Sequence, residues 1–328
     1  QPSIKTLHHN TTIVQHIMKK LMHSSLVALV ASTGALAQQP AAPANGPFVA
    51  GGPLGTVNEA GVATPMSSNV KVFGSFRTAE SCTFDPARNL ILAMNNGIPQ
   101  NLQENDGFVS LINPDGSVHT SKWIGATRDG LTLNQPLGSA IQNGTLYAVD
   151  INTVRMFDLA SGAPKGFVEV PEATGLNGVG VAPDGTVYAS NTGGTQRIYK
   201  LTASGETSVF AEGAPLNAPN GVAIDNDGNI VVVNVGDNAV ITFNPAGEVV
   251  KTEHAFEGGN DGVVIMADGT KYVSSVRYGS VSRIRPGQEA EVIASGIPSA
   301  ASMCYDSVQN QLVIPMNQNN ALAFIPLN

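Results

Sequence analysis

The chain has 328 residues and a net charge of −8, and only 13% of its residues are Asp, Glu, Lys or Arg. This sparse, acidic charge argues against a nucleic acid or an anionic membrane surface as the partner. Its two cysteines make no disulfide framework.

The first segments along the chain lie outside the predicted fold. Residues 1–17 are interpreted as an upstream extension or artefact. Residues 18–37 predict a secretory signal peptide, with a basic start, an apolar core and an Ala35-Leu-Ala37 cleavage site. Residues 38–68 are rich in Pro, Ala and Gly and predict a linker or extended arm. No second long apolar stretch follows, so we expect a periplasmic or secreted protein, cleaved after Ala37, with no membrane span in its mature chain.

A sequence motif that recurs at nearly constant spacing dominates the rest of the sequence. It consists of Asn or Asp, then Gly, a short apolar strand and an Asp-Gly turn, and it starts at Asn177, Asn220 and Asp261. The spacings of 43 and 41 residues are typical of a repeat architecture. Asp-Gly supplies the positive φ angles that tight hairpins require, and each period holds four short strands. Four strands in about 40 residues form one blade of a β-propeller.

Extending this register in both directions predicts six blades over residues 69–328. The chain stops after a strand at 322–327 that matches only the third strand of a blade. Residues 70–73 have the sequence of an outer strand just before blade one. We therefore predict an all-β six-bladed propeller whose ring is closed by this N-terminal outer strand, added to the last blade, which removes exposed edges.

The first position of the repeat is the candidate site. The six blades fill it with Glu80, Pro136 or Leu137, Asn177, Asn220, Asp261 and Ala301. Because each inner strand starts near the central channel, the two carboxylates and two amides should converge. An all-oxygen cage of net charge −2 favours Ca²⁺, with Mg²⁺, Mn²⁺ or Zn²⁺ as alternatives. Four protein ligands leave room for water and substrate, as in a catalytic metal site.

A structural interpretation of the same position competes with the metal site. Asn and Asp before Gly commonly end strands through Asx turns, and any repeat protein could reuse that device. Glu80 argues against it, because glutamate makes no Asx turn, and so do the apolar residues in blades two and six. The metal site is the preferred interpretation.

Four motifs occur in register and in chain order. They are Glu80-Ser before an apolar strand, Asn177-Gly, Asn220-Gly-Val-Ala-Ile, and Asp261-Gly with its Asp268-Gly turn. Together they resemble the senescence-marker-protein/gluconolactonase/luciferin-regenerating (SGL) family, and Asn177-Gly also resembles diisopropyl-fluorophosphatase-type propellers. The resemblance implies a calcium-dependent hydrolase of lactones or, more rarely, phosphoesters. It implies Glu80, Asn220 and Asp261 as metal ligands, Asn177 as a substrate-binding residue and further ligand, and Asp261 as general base or nucleophile.

Two residues depart from the family pattern. The sugar-lactone members typically carry Arg two residues before the Asn177 position, where this chain has Gly175, and Pro where it has Cys82. The missing guanidinium disfavours an aldonolactone as the substrate. The arginines that could replace it are Arg128, Arg155 and Arg277.

The two cysteines fall in the inner strands of the first and last blades, which are neighbours in a closed ring. Cys82 is two residues on from Glu80, whereas Cys304 is three residues on from Ala301. Because side chains alternate along a strand, this opposite parity predicts that the cysteines face opposite ways. A bridge in an oxidising compartment is the alternative, and the prediction that they do not pair is preferred.

The step from blade one to blade two is longer than the others, and the surplus lies largely in Asn95–Gly107. This connection belongs to the same end of its blade as the site, which makes it a candidate lid over the pocket. A tolerated surface loop is the other interpretation.

The sequence therefore predicts a secreted, monomeric, metal-dependent hydrolase, a gluconolactonase-like lactonase that acts on a small lactone or related ester. One alternative is a non-catalytic NHL-like binding scaffold in which an ion merely ties the blades together. The other is a phosphotriesterase of the diisopropyl-fluorophosphatase type.

Overall fold

Short strands rich in Val, Ile, Tyr and Phe, joined by Gly-containing turns, build this fold. The computed structural model describes residues 55–74, 76–97, 105–125 and 131–328. The segments 1–17 and 18–37, the arm up to residue 54, residues 98–104 of the candidate lid, and Arg128 lie outside these residues. Within the described part the helical element is a three-residue 3₁₀ helix, Asn317–Asn319, and no helix is long and apolar enough to cross a membrane.

Six four-stranded antiparallel sheets form the blades of a β-propeller. The inner strands are β4 (Ala79–Asp85), β8 (Pro136–Gln142), β12 (Leu176–Val181), β16 (Pro219–Ile224), β20 (Asn260–Ile265) and β24 (Cys304–Asp306). The second strands are β5 (Leu90–Asn95), β9 (Thr145–Asp150), β13 (Val187–Asn191), β17 (Ile230–Asn234), β21 (Lys271–Ser275) and β25 (Gln311–Met316). The third strands are β6 (Phe108–Ile112), β10 (Thr153–Asp158), β14 (Arg197–Leu201), β18 (Ala239–Phe243), β22 (Ser280–Ile284) and β26 (Ala321–Pro326). The outer strands are β7 (Val118–Gly125), β11 (Pro164–Glu169), β15 (Thr207–Glu212), β19 (Val249–His254), β23 (Glu291–Ala294) and, in the last blade, β3 (Lys71–Phe73).

The two ends of the propeller segment close the ring. β3 pairs antiparallel with β26, with Phe73 opposite Leu322. The inner strands of neighbouring blades pack against one another around the axis. Six apolar clusters of described residues form the core, one at each interface between blades. The predicted six-bladed propeller and its closure by an N-terminal outer strand are confirmed.

The inner strands of blades one to five carry a β-bulge at the site position. In blade four Pro219 pairs with Asn234 and Val222 with Val232, so Asn220 and Gly221 together face one residue of β17. Similar register shifts interrupt β4, β8, β12 and β20. Because a bulge bends its strand and re-aims a side chain, the site residues lie outside the regular pleat. The Asn-Gly and Asp-Gly pairs at the site are thus bulge residues, and Leu137 holds the equivalent place in blade two.

In blades two to five a glycine follows the site position, and it allows the inner strands to pack closely. A Cβ on Gly178 would overlap the carbonyl oxygen of Asn220, and a Cβ on Gly221 would overlap that of Asp261. Neither glycine has a positive φ angle. The position therefore requires the absence of a side chain, and not the conformational freedom of glycine.

Gly178→Ala is expected to lower the free energy of unfolding by about 3 kcal/mol, because the added methyl group forces the inner strands of blades three and four apart. Gly175→Ala is the matched control: a Cβ there meets nothing within 4 Å. Its effect should stay within about 0.5 kcal/mol. Urea unfolding followed by circular dichroism measures both variants, and equal midpoints would contradict the packing argument.

The seam between blades six and one carries a covalent link. Cys82 and Cys304 form a disulfide with their Cα atoms 5.4 Å apart, so the prediction that they do not pair was wrong. The parity count failed because β4 contains the Glu80 bulge and because β24 begins only at Cys304. Before β24 the chain makes isolated bridges, such as Ser302 with Ser81. Side chains alternate reliably only within a regular strand.

The described part of the predicted arm forms a hairpin that lies on blade five. Its strands are β1 (Gly55–Val57) and β2 (Ala63–Pro65). Thr56 Oγ1 donates to the carbonyl oxygen of Tyr278 at 2.9 Å, and Glu59 N donates to Glu257 Oε1 at 3.1 Å. Both acceptors belong to connections at the end of blade five where its inner strand starts. The hairpin therefore borders the site end of the propeller.

Candidate metal centre

Two carboxylates from different blades meet at the start of the inner strands. Glu80 of blade one and Asp261 of blade five are 7% and 3% exposed, and the charge of Glu80 acts on Asp261. Burial raises the pKa of the Glu80 carboxyl, against the opposing effect of a hydrogen bond from Asn317. Burial, together with the Glu80 charge, raises the pKa of Asp261 well above its usual range. Two buried like charges need a cation or a proton between them.

Asn220 joins this pair from blade four. Its Nδ2 donates to Asp261 Oδ2 at 3.3 Å. The other oxygens, Asn220 Oδ1 and Asp261 Oδ1, are buried and have no hydrogen-bond partner in the described chain. A buried polar atom left without a partner costs about 1–3 kcal/mol. Unsatisfied amide and carboxylate oxygens beside a second carboxylate are the donors that Ca²⁺ prefers, so the residues present fit a divalent cation.

The remaining predicted positions surround these three residues. Asn177 occupies the bulge of blade three, half-buried, and the following Gly178 packs on the Asn220 carbonyl. Leu137 is half-buried in blade two, and Ala301 is fully buried in blade six. The structure thus brings Glu80, Asn220 and Asp261 together, with Asn177 one blade further round the ring.

A polar residue of blade six also reaches the site, and the sequence analysis missed it. Asn317 starts the 3₁₀ helix after β25, and its Nδ2 donates to Glu80 Oε2 at 2.8 Å. Its Oδ1 is a further buried oxygen without a partner. The repeat register identifies Ala301, on the inner strand, as the site position of blade six. Asn317 instead lies in the connection between the second and third strands of that blade. The signal in the sequence was the polar run 317–320 directly after an apolar strand.

Two buried serines link the site positions of neighbouring blades. Gly178 N donates to Ser190 Oγ at 2.8 Å, and Ser190 Oγ donates to the carbonyl oxygen of Asn220 at 2.5 Å. Ser274 makes the same link between the bulge of blade five and the carbonyl oxygen of Ala301, at 2.7 Å. These side chains hold adjacent inner strands in register, so they position the site without belonging to it.

Of the arginines considered as substrate contacts, two lie in the described residues. Arg155 forms an ion pair with the buried carboxylate of Asp150. Arg277 is exposed in the connection between β21 and β22. A Cβ on Gly259 would overlap the Cβ of Arg277, so Arg277 lies against the segment that leads into Asp261. Of these two arginines, Arg277 is therefore the one that borders the site.

A cavity of about 530 Å³ lies at the opposite end of the channel. Its walls include Ser139, Val181, Ile224 and the disulfide, all of which come later in the inner strands than the site residues. None of the candidate ligands lines it. The cavity is therefore separate from the candidate metal centre.

Comparison with known proteins places this geometry in context. The family model for the SMP-30/gluconolactonase/LRE-like region matches residues 81–315. Virginiamycin B lyase from Staphylococcus aureus, in a catalytically inactive variant lacking one histidine and with quinupristin, is 14% identical, with a TM-score of 0.54 over 79% of this chain and 100% of that chain. A structural-genomics protein described provisionally as a gluconolactonase is 18% identical, with a TM-score of 0.57 over 80% and 93%. No curated protein matches the chain. Identities this low show a shared fold alone.

Proposed function

Because the chain belongs to the SMP-30/gluconolactonase/LRE-like family, we propose that it is a metal-dependent hydrolase that opens lactones or related small esters. The observation that carries the proposal is the buried pair of carboxylates, Glu80 and Asp261, beside amide oxygens that have no donor. Buried, strongly perturbed acids in a channel are more typical of functional sites than of structural ones. The substrate would be a small molecule bound by a monomer.

Glu80, Asn220 and Asp261 would hold the cation, with Asn177 as a further ligand or substrate contact. We expect Ca²⁺, with Mg²⁺, Mn²⁺ and Zn²⁺ as alternatives. When bound, the cation supplies Lewis-acid polarisation of the substrate carbonyl group. The ligand set contains no sulfur or nitrogen donor, which suits a hard cation.

In this proposal Asp261 moves the proton. Asn220 fixes its Oδ2 through a hydrogen bond, which leaves Oδ1 free to act. Oδ1 takes a proton from water as the water oxygen bonds to the carbonyl carbon. The ring C–O bond then breaks, and Asp261 returns the proton to the departing ring oxygen. Lactone and water are thereby converted to one hydroxy acid.

Elimination by a lyase has less support than hydrolysis. The virginiamycin B lyase that shares the fold is catalytically inactive when one histidine is replaced. In this chain the histidines in the described residues, His119 and His254, lie in the outer strands β7 and β19. Those strands are the furthest from the channel in their blades, so they place no imidazole beside Asp261.

We also propose that the protein works in the periplasm or outside the cell, as the predicted signal peptide at 18–37 implies. The Cys82–Cys304 disulfide supports this location, because disulfides persist in oxidising compartments and are rare in the cytosol.

The test is hydrolysis of aldonolactones, aliphatic lactones, aryl esters and an aryl phosphotriester, with Ca²⁺ and after chelation. We expect turnover of at least one lactone, a loss of about 10²-fold or more on chelation, and recovery when Ca²⁺ is returned. Turnover of the phosphotriester alone would favour the phosphotriesterase alternative. If chelation lowers the melting temperature while no substrate is turned over, the protein is a binding scaffold and the proposal fails.

A further inference from the structure

Asn317 makes two different kinds of contact at the candidate metal centre. Its Nδ2 holds Glu80 Oε2 at 2.8 Å, which restricts the rotation of that carboxylate. Its Oδ1 is buried without a partner, although the residue as a whole is only half-buried. The amide group therefore uses its N–H donor on the Glu80 carboxylate, while its buried oxygen lacks a partner. Buried polar atoms normally have a partner, so a further group is expected to bind this oxygen.

Hydrogen bonds to Ser299 hold the segment that carries Asn317. Asn317 N donates to the carbonyl oxygen of Ser299 at 3.2 Å, and Gln318 N donates to Ser299 Oγ at 3.2 Å. Ser299 Oγ in turn donates to Asn319 Oδ1 at 2.7 Å. One buried serine thus holds all three residues of the short helix, so the Asn317 side chain projects from an anchored backbone.

Hydrogen bonds also connect this part of blade six to blade one. Asn320, in a left-handed conformation with φ of 52°, accepts a hydrogen bond from Thr78 N at 2.7 Å through its Oδ1. Ser302 N donates to the carbonyl oxygen of Glu80 at 3.1 Å. These contacts flank the Asn317–Glu80 hydrogen bond on the seam between blades six and one. The place of Asn317 beside Glu80 therefore does not depend on its own side chain.

Unsatisfied oxygens follow one another around the channel. Asn317 touches Glu80, the charge of Glu80 acts on Asp261, and Asp261 is hydrogen-bonded to Asn220. Three of these residues, Asn220, Asp261 and Asn317, each have a buried oxygen without a donor. A single cation would satisfy the amide oxygens of Asn220 and Asn317 and neutralise the two carboxylates, which separate waters would not do.

We propose that Asn317 is a ligand of the metal site, contributed by blade six: its Oδ1 binds the cation while its Nδ2 orients the Glu80 carboxylate. The inference rests on the cation site of the proposed function. It adds a neutral oxygen, which suits Ca²⁺, an ion that takes six to eight oxygen ligands and accepts amide oxygens. The ligands would then come from blades one, four, five and six, with blade three as a further contributor.

The test uses the full chain, freed of metal, with Ca²⁺ and Tb³⁺ as the probes. Asn317→Ala is expected to lower Ca²⁺ affinity by about 10–100-fold in calorimetry. Luminescence lifetimes of bound Tb³⁺ in H₂O and D₂O count the water molecules on the ion, and Asn317→Ala should gain one because a protein oxygen is lost. Asn317→Asp retains an oxygen and should show the water count of the wild type. Gln318→Ala, an exposed neighbour on the same helix, should change neither quantity.

A wild-type water count in Asn317→Ala, or an affinity within twofold of the wild type, would overturn the assignment. Lower affinity with an unchanged water count would also overturn it, because Asn317 would then only position Glu80. If Asn317→Ala does not fold, a changed water count in Asn317→Asp decides against the proposal and an unchanged count supports it. Failure of the proposed function is distinguishable: the protein would bind both ions as described yet hydrolyse no lactone.

Discussion

Asp261→Asn is expected to lower kcat/KM for lactone hydrolysis by about 10³-fold and, in the metal-free protein, to raise the melting temperature. The expected loss of activity follows from the loss of the carboxylate oxygen that, in the proposed mechanism, accepts a proton while Asn220 holds the other oxygen. The amide oxygen still accepts the Asn220 hydrogen bond, so the local geometry persists.

The gain in stability has an electrostatic cause. Asp261 is buried beside the buried Glu80, and both effects raise its pKa, so its ionised form destabilises the metal-free fold at neutral pH. Asparagine of the same shape removes that charge. A gain of about 1 kcal/mol corresponds to about 2–4 °C for a domain of this size. With Ca²⁺ the order should reverse, because only the wild type is stabilised strongly by the ion.

Asp268→Asn provides the control, since it makes the same chemical change in the same blade. Asp268 is exposed in the hairpin turn at the far end of that blade, where its Oδ1 accepts a hydrogen bond from Thr270 N at 2.9 Å. We expect activity and Ca²⁺ response close to the wild type for this variant. Steady-state kinetics and thermal unfolding with and without chelator measure the set. An Asp261→Asn protein that keeps its turnover, or that melts earlier than the wild type without metal, would refute the assignment.

Replacing both Cys82 and Cys304 with serine should lower the free energy of unfolding by about 4 kcal/mol. The disulfide joins residues 222 positions apart, so in the unfolded chain it closes a very long loop and removes much conformational entropy. It also ties the inner strand of blade one to that of blade six, across a seam that an apolar cluster and hydrogen bonds also hold.

Urea unfolding of the double-serine variant and of the wild type, each with and without reductant, isolates the effect of the bond. The reduced wild type should approach the variant, while the variant itself should not respond to reductant. Activity at low temperature should survive, because the disulfide lines the cavity at the opposite end of the channel from Glu80 and Asp261. An unchanged midpoint in the variant would show that the seam is held by the remaining contacts alone.

The repeat made most of the fold predictable. Asn177, Asn220 and Asp261 recur in fixed register, and equivalent positions of a closed ring must face one axis, so the site could be located before its geometry was known. Glu80 was predictable for the same reason, although its repeat lacks the Asn/Asp-Gly motif. Closure by an outer strand followed from a last blade that lacked its fourth strand.

What escaped prediction departs from strict periodicity. The disulfide depends on a bulge at Glu80 and on an irregular backbone before Cys304. Neither irregularity can be deduced from the alternation of side chains along a regular strand. Asn317 lies in a connection that differs from blade to blade, so register could not reveal it. Ser190 and Ser274 are an exception, because each lies 13 residues after a site residue, Asn177 or Asp261. Their contact is with the backbone of the next blade, which the repeat alone does not indicate.

The hydrogen bond between Glu80 and Asn317 joins residues 237 positions apart. During synthesis, the two partners are therefore made at very different times. A ribosome that has delivered five blades has already made Glu80, Asn220 and Asp261, but the last blade that completes the ring is still missing. This contact cannot form before both residues have been made, and folds rich in contacts of such long range fold slowly. If Asn317 is a ligand as proposed, the nascent protein would lack a finished ion site until its final blade is made, and binding of an ion would mark a molecule whose folding is complete.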